Sequence, residues 1–136
     1  MFFTEFWQTD ECQADDREAL RNGSGDMRLT PEEQAWLNVY RQSLAEQYPD
    51  TLHQMLIYGS KARGDSHPES DLDVLLIVRN ESNALRRPLR RLGYDLAIAF
   101  NAVPSILAYT QAEWERRKQS GSPFREAVER DAVWVL

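Results

Sequence analysis

The chain has 136 residues with 22 acidic and 16 basic side chains, a formal charge of −6, which is the length of one domain able to bury a core without metal or disulfide staples. A pI near 4.9 argues against a non-specific nucleic-acid coat, because phosphate binding needs net positive surface, although a local basic patch stays open. The lone Cys12 excludes an intramolecular disulfide, no run of 18 apolar residues exists, and Met1 to Trp7 lacks the basic start and apolar stretch of a signal peptide, so the expectation is a cytoplasmic protein with no membrane contact.

Charge is unevenly spread. Residues 1–26 hold seven acids against Arg17 and Arg21, a net −5, whereas residues 27–136 are nearly balanced at −1. Asn22-Gly23-Ser24-Gly25-Asp26 reads as a flexible joint. The sequence therefore divides into an acidic extension, 1–26, and one domain, 27–136.

Thr30-Pro31-Glu32-Glu33 combines an N-cap, a proline at the first helical position and a glutamate at the third, which is a capping box. Trp36, Leu37, Tyr40, Leu44 and Tyr48 follow at helical spacing, until Pro49-Asp50. His53 to Tyr58 is a short apolar strand, Ser60 to Arg63 a short helix between Gly59 and Gly64, and 65–70 a polar loop. Leu72 to Val78 is the nearly continuous apolar run of a strand buried on both faces. Asn83 to Leu92 reads as a helix punctuated by Gly93, and Tyr94 to Phe100 as a third strand. Thr110-Gln111-Ala112-Glu113 caps a helix to about Gln119, Ser122-Pro123 starts a last helix to about Arg130, and Ala132 to Leu136 supplies a final strand. Strands alternating with helices give an α/β layered architecture.

The chemistry concentrates in Tyr58-Gly59-Ser60-Lys61-Ala62-Arg63-Gly64 and, ten residues after Ser60, Asp71-Leu72-Asp73. A strand ending at glycine lets a ligand approach the backbone, and the helix start at Ser60 offers unpaired amides and a hydroxyl suited to phosphate. Period two puts Asp71 and Asp73 on one face of their strand. Two such carboxylates repel each other, and a divalent cation would remove that cost. All-oxygen ligands suit magnesium. Asp95, at the head of the expected third strand, would reach the same cluster, and three carboxylates on two adjacent strands hold two cations about 3.5–4 Å apart.

Gly59-Ser60, Asp71-Leu72-Asp73 and Asp95 together resemble the polymerase-β-type nucleotidyltransferase superfamily. Gly59-Ser60-Lys61-Ala62-Arg63-Gly64 and Ser70-Asp71-Leu72-Asp73 are similar to its minimal nucleotidyltransferase (MNT) members, over roughly residues 30–135. The resemblance implies an α/β (α+β) palm, a small mixed sheet with helices packed on it. It implies Asp71 and Asp73 as metal ligands, Asp95 as base or third ligand, and Gly59 and Ser60 on the β and γ phosphates of ATP or another nucleoside triphosphate. It further implies two Mg2+ ions, transfer of AMP to a hydroxyl, and an antitoxin role against a HEPN-domain toxin. The alternatives are an antitoxin that acts by occlusion alone and a standalone transferase acting on a small molecule such as an aminoglycoside. So short a palm is expected to need a partner protein or a second copy.

The remaining residues have plainer readings. Arg63 either contacts phosphate or a partner or pairs with Asp65; Lys61 is expected in solvent; His67 is an exposed loop residue and His53 a structural one. Arg86, Arg87, Arg90 and Arg91 give a basic helix side suited to a nucleic acid, an acidic partner, a triphosphate tail or the acidic extension of the same chain, or merely to water. Direct nucleic-acid binding is not expected.

Overall fold

The computed structural model describes residues 27–65 and 70–136. The acidic extension, Cys12 and His67 lie outside the described residues. Helix α1, Pro31–Gln47, begins with the expected capping box: Glu33 N–H donates to Thr30 Oγ1 at 3.1 Å, and Thr30 N–H to Glu33 Oε1 at 2.9 Å. Strand β1 is Leu52–Tyr58, the short helix α2 Ser60–Arg63, and β2 Leu72–Val78. A 3-10 turn, Asn80–Leu85, then leads into α3, Arg86–Phe100. β3 is Pro104–Thr110, α4 Gln111–Gln119, α5 Pro123–Asp131 and β4 Val133–Trp134.

The four strands form one mixed sheet in the order β3-β2-β1-β4, with β2 and β3 parallel and the other pairs antiparallel. Six of the seven residues of central β2 are buried, as expected for a strand covered on both faces. On one face, Met55, Ile57, Val74, Leu76 and Ile106 pack with Trp36, Tyr40 and Leu44 of α1 and Leu89 and Ala97 of α3. On the other, Leu56, Leu75 and Ile77 pack with Trp114 of α4 and Val128 of α5. The result is the layered α+β architecture expected from the alternation of elements. No helix among the described residues is long and apolar enough to cross a membrane.

Residues 94–100 depart from expectation. They continue α3 instead of forming a strand. Alternating Tyr94, Leu96, Ile98 and Phe100 fits a strand, but Leu89, Gly93 and Ala97 also fit a buried helical stripe, and packing on α1 decides for the helix. Gly93 does not end the helix; it makes room for the neighbour. A Cβ there would stand 2.6 Å from Tyr40 Cζ and from Ile106 Cδ1. Trp36 Nε1 donates to the Gly93 carbonyl at 2.9 Å and the Tyr40 hydroxyl to the Leu89 carbonyl at 2.7 Å, locking α1 to α3. Pro88 falls in the first turn of α3, where its missing N–H has no intrahelical acceptor to lose. Asn101, left-handed at φ 59°, ends the helix, and the true third strand follows it.

β3 is a sheet edge, and side chains close it. Ile106 N–H donates to Tyr94 Oη at 2.9 Å, Arg86 donates to the Ala108 carbonyl at 3.4 Å, and Thr110 N–H donates to Glu113 Oε1 at 3.0 Å. An edge occupied in this way is a poor template for another strand.

Candidate functional site

The end of β1 and the start of β2 and β3 meet at one end of the sheet. Tyr58 on β1 and Ser105 on β3 are the register partners of Asp73 on either side of it. Gly59 follows Tyr58 with φ 78° and ψ −156°, a region essentially restricted to glycine. A Cβ on Gly59 would run into the Asp73 carboxylate at Oδ2. The turn and the carboxylate therefore touch because residue 59 has no side chain.

Helix α2 is one turn long, with Arg63 N–H bonded to the Gly59 carbonyl at 3.1 Å and Gly64 N–H to the Ser60 carbonyl at 2.9 Å. The earliest amides of such a turn have no partner within the helix. Three contacts fix it in place. Arg28 N–H donates to the Lys61 carbonyl at 2.9 Å. The Lys61 ammonium, 2 % exposed, lies 3.0 Å from Glu33 Oε1 in the first turn of α1. Arg63 pairs with Asp65 at 3.2 Å and with Asp131 at the end of α5 at 3.6 Å. Lys61 is thus buried and paired, not in solvent: the same capping carboxylate that starts α1 holds the turn at residues 59–63. Nothing in the local sequence signals this, since the two partners lie 28 positions apart. Arg63 makes the carboxylate pairs that its spacing to Asp65 suggests.

Asp71 is exposed and Asp73 half-buried. Partial burial, and then the neighbouring Asp71 charge, raise the Asp73 carboxyl above its ordinary value, with Arg63 working in the opposite direction. Burial, and then Asp73, push the Tyr58 phenol up to about 12. Burial and the Asp71 charge both disfavour the ionised Asp73, so a cation at this end of the sheet would be welcome. All-oxygen donors, one half-buried and one open to water, match a hard divalent ion that keeps water and phosphate ligands.

Asp95 does not join them. It sits on the exposed side of α3, because residues 94–100 are helical, and no group of three acid, His or Cys side chains that could hold a metal occurs among the described residues. The strand expected to present it is instead β3, which carries Ser105 beside Asp73 and no acidic residue. The sequence signal for that strand is Pro104 to Tyr109, a mostly apolar run between Asn101 and the Thr110 capping box.

The family model described as "Nucleotidyltransferase domain" matches residues 37–129, a span that includes the Gly59 turn, both aspartates and β3. No curated protein matches the chain. Among solved structures, a crystal structure from Sulfolobus solfataricus, itself only provisionally assigned as a nucleotidyltransferase, is 17% identical, with 79% of this chain and 87% of that one covered and a TM-score of 0.45.

Proposed function

Because the chain belongs to the nucleotidyltransferase domain family, we propose that it moves a nucleoside monophosphate from a nucleoside triphosphate to an acceptor hydroxyl, using the Gly59 turn and Asp71 and Asp73. The observation that carries this reading is the contact between residue 59 and the Asp73 carboxylate. It puts a backbone that can cradle phosphates directly against an oxygen donor for a divalent cation. Asp71 and Asp73 would hold Mg2+, which when bound neutralises phosphate charge and orients the triphosphate. Gly59 and Ser60 bind the β and γ phosphates, and the contacts of Lys61 and Arg63 keep the turn rigid so that the α-phosphorus is presented in one position. The acceptor oxygen bonds to the α-phosphorus, the bond to the pyrophosphate oxygen breaks, and the hydroxyl proton passes to water.

The finer reading follows the motif resemblance of residues 59–64 and 70–73: ATP as donor, AMP as the group moved, and a HEPN-domain toxin as acceptor. Its test is the intact mass of such a partner after incubation with ATP, Mg2+ and this protein. An added adenylate, absent with an Asp71→Asn/Asp73→Asn variant, is expected. An unmodified partner that is nevertheless neutralised by the double variant would move the account to occlusion. That second reading has one observation in its favour: Ser105, not a carboxylate, stands beside Asp73 on β3.

A further inference from the structure

A trough runs along β3 away from the aspartates. It consists of two contiguous cavities of about 390 and 720 Å³ that share Arg86 and Tyr109. Arg87 and Arg90 of α3 line the first, and Arg116 and Arg117 of α4 line the second. Among the described residues, Arg86 is paired with Glu113 at 2.7 Å, whereas Arg87, Arg90, Arg116 and Arg117 have no carboxylate within ion-pair distance. Arg90 Nε is buried without an acceptor, so its stem is fixed by packing while its guanidinium borders the cavity. Arg91, one position on, does not line the trough. Four cations without an ion-pair partner among the described residues, one of them (Arg117) also bonded to Ser122 Oγ at 3.5 Å, concentrate positive charge locally in a chain of net charge −6.

We infer that this trough is a subsite for a phosphate group carried by the acceptor. The inference rests on the transfer reading above. Three features point to phosphate and to the acceptor. Guanidinium groups are planar forks that match phosphate oxygens. Tyr109 presents no free ring face for a base, since Trp114 stacks against it at 5.7 Å and the Arg117 guanidinium lies over it at 4.7 Å. Leu107 and Tyr109 share the face of Asp73 and Ser105, whereas Arg87 and Arg90 belong to α3 on the other face, so the trough wraps the β3 edge and starts about 7 Å along the strand from the residue beside that aspartate. It lies on the β3 side of Asp73, whereas the Gly59 turn that takes the donor phosphates follows β1 on the other side. Donor and acceptor would then approach the reacting phosphorus from opposite flanks of β2.

The test is amide chemical-shift mapping of the full chain with inorganic phosphate in EDTA, and separately with ATP and Mg2+. Saturable phosphate shifts at 86–90 and 107–109 are expected, retained in Asp71→Asn/Asp73→Asn and weakened at least tenfold in Arg87→Gln/Arg90→Gln. Should that variant misfold, Arg87→Gln/Arg116→Gln alters two exposed positions and carries the same expectation. Phosphate shifts that are absent, or unaffected by both arginine variants, overturn the subsite. Trough shifts that appear with ATP and Mg2+ and vanish in Gly59→Ala assign the trough to the donor's own triphosphate and overturn the acceptor claim. Failure of the transfer reading is seen separately, as absent ATP shifts at 59–64.

Discussion

Removing the Lys61 ammonium tests whether the turn at residues 59–63 is held by an ion pair inside the protein. Lys61 and Glu33 side chains are 2 % and 7 % exposed and 3.0 Å apart. Leaving one charge of such a pair without its partner costs about 3–5 kcal/mol. Lys61→Met keeps most of the volume and leaves Glu33 with one donor, the Thr30 amide, so the lower end, about 3 kcal/mol, is expected in urea unfolding monitored by tryptophan fluorescence. Glu33→Gln preserves a capping-box residue but deprives Lys61 of its counter-charge. Combining the two removes both charges, and replacing a buried pair by neutral groups is often close to neutral. The double variant is therefore expected to recover to within about 1 kcal/mol of the parent, a coupling of about 2 kcal/mol or more, well beyond the error of additivity. The reasoning fails if Lys61→Met alone costs less than about 0.5 kcal/mol, the size of an ordinary surface change, or if the double variant is no better than the sum of the singles. The buried variant should also weaken ATP binding more than its stability loss explains, because the turn would no longer be fixed.

Three other perturbations follow from specific atoms. Gly59→Ala forces an L-residue into a glycine-only region, at about 1–3 kcal/mol, and drives a methyl against Asp73 Oδ2; ATP affinity, measured by calorimetry, should fall at least tenfold, and an unchanged affinity would remove the turn from the site. Gly93→Ala gains about 1 kcal/mol of helix propensity but meets Tyr40, whose ring is held by its bond to Leu89, and Ile106; overpacking of about 1–3 kcal/mol should win, and a raised melting temperature would refute the packing described. Asp73→Asn has a sign that depends on pH. The folded-state carboxyl is raised, so the folded protein binds more protons than the unfolded chain between the two values, and stability declines as pH rises through that window. Asn cannot take the charge. The variant should be slightly more stable than the parent at pH 7, with the difference vanishing below the ordinary aspartate range, while transfer is lost; a variant less stable at pH 7 would contradict the cause assigned to the shift.

Local signals carried most of the architecture. The capping boxes at Thr30 and Thr110, Ser122-Pro123, and the apolar run at 72–78 each mark their element within a residue or so, because their chemistry is complete within four to seven positions. The Gly59-Ser60 and Asp71-Asp73 motifs were legible for the same reason. Residues 94–100 were not, because their apolar positions satisfy both period two and the helical stripe, and only packing against Trp36 and Tyr40 separates the two. Asp95 therefore stands on an exposed helix face, and the third strand begins only at Pro104. The Lys61–Glu33 pair and the arginine trough are tertiary in origin, joining elements distant in sequence, and no window of sequence displays them.

The proposed role of Asp71, Asp73 and the Gly59 turn is to transfer a nucleotide and not a phosphoryl group. Parallel incubations with ATP labelled at the α- or the γ-phosphate, Mg2+ and acceptor test it most directly. The account expects α-label on the acceptor, γ-label released as pyrophosphate, and both lost by at least a hundredfold in Asp73→Asn, the scale on which removing a transition-state stabiliser acts. γ-Label on the acceptor, or α-label transfer undiminished in that variant, would contradict it.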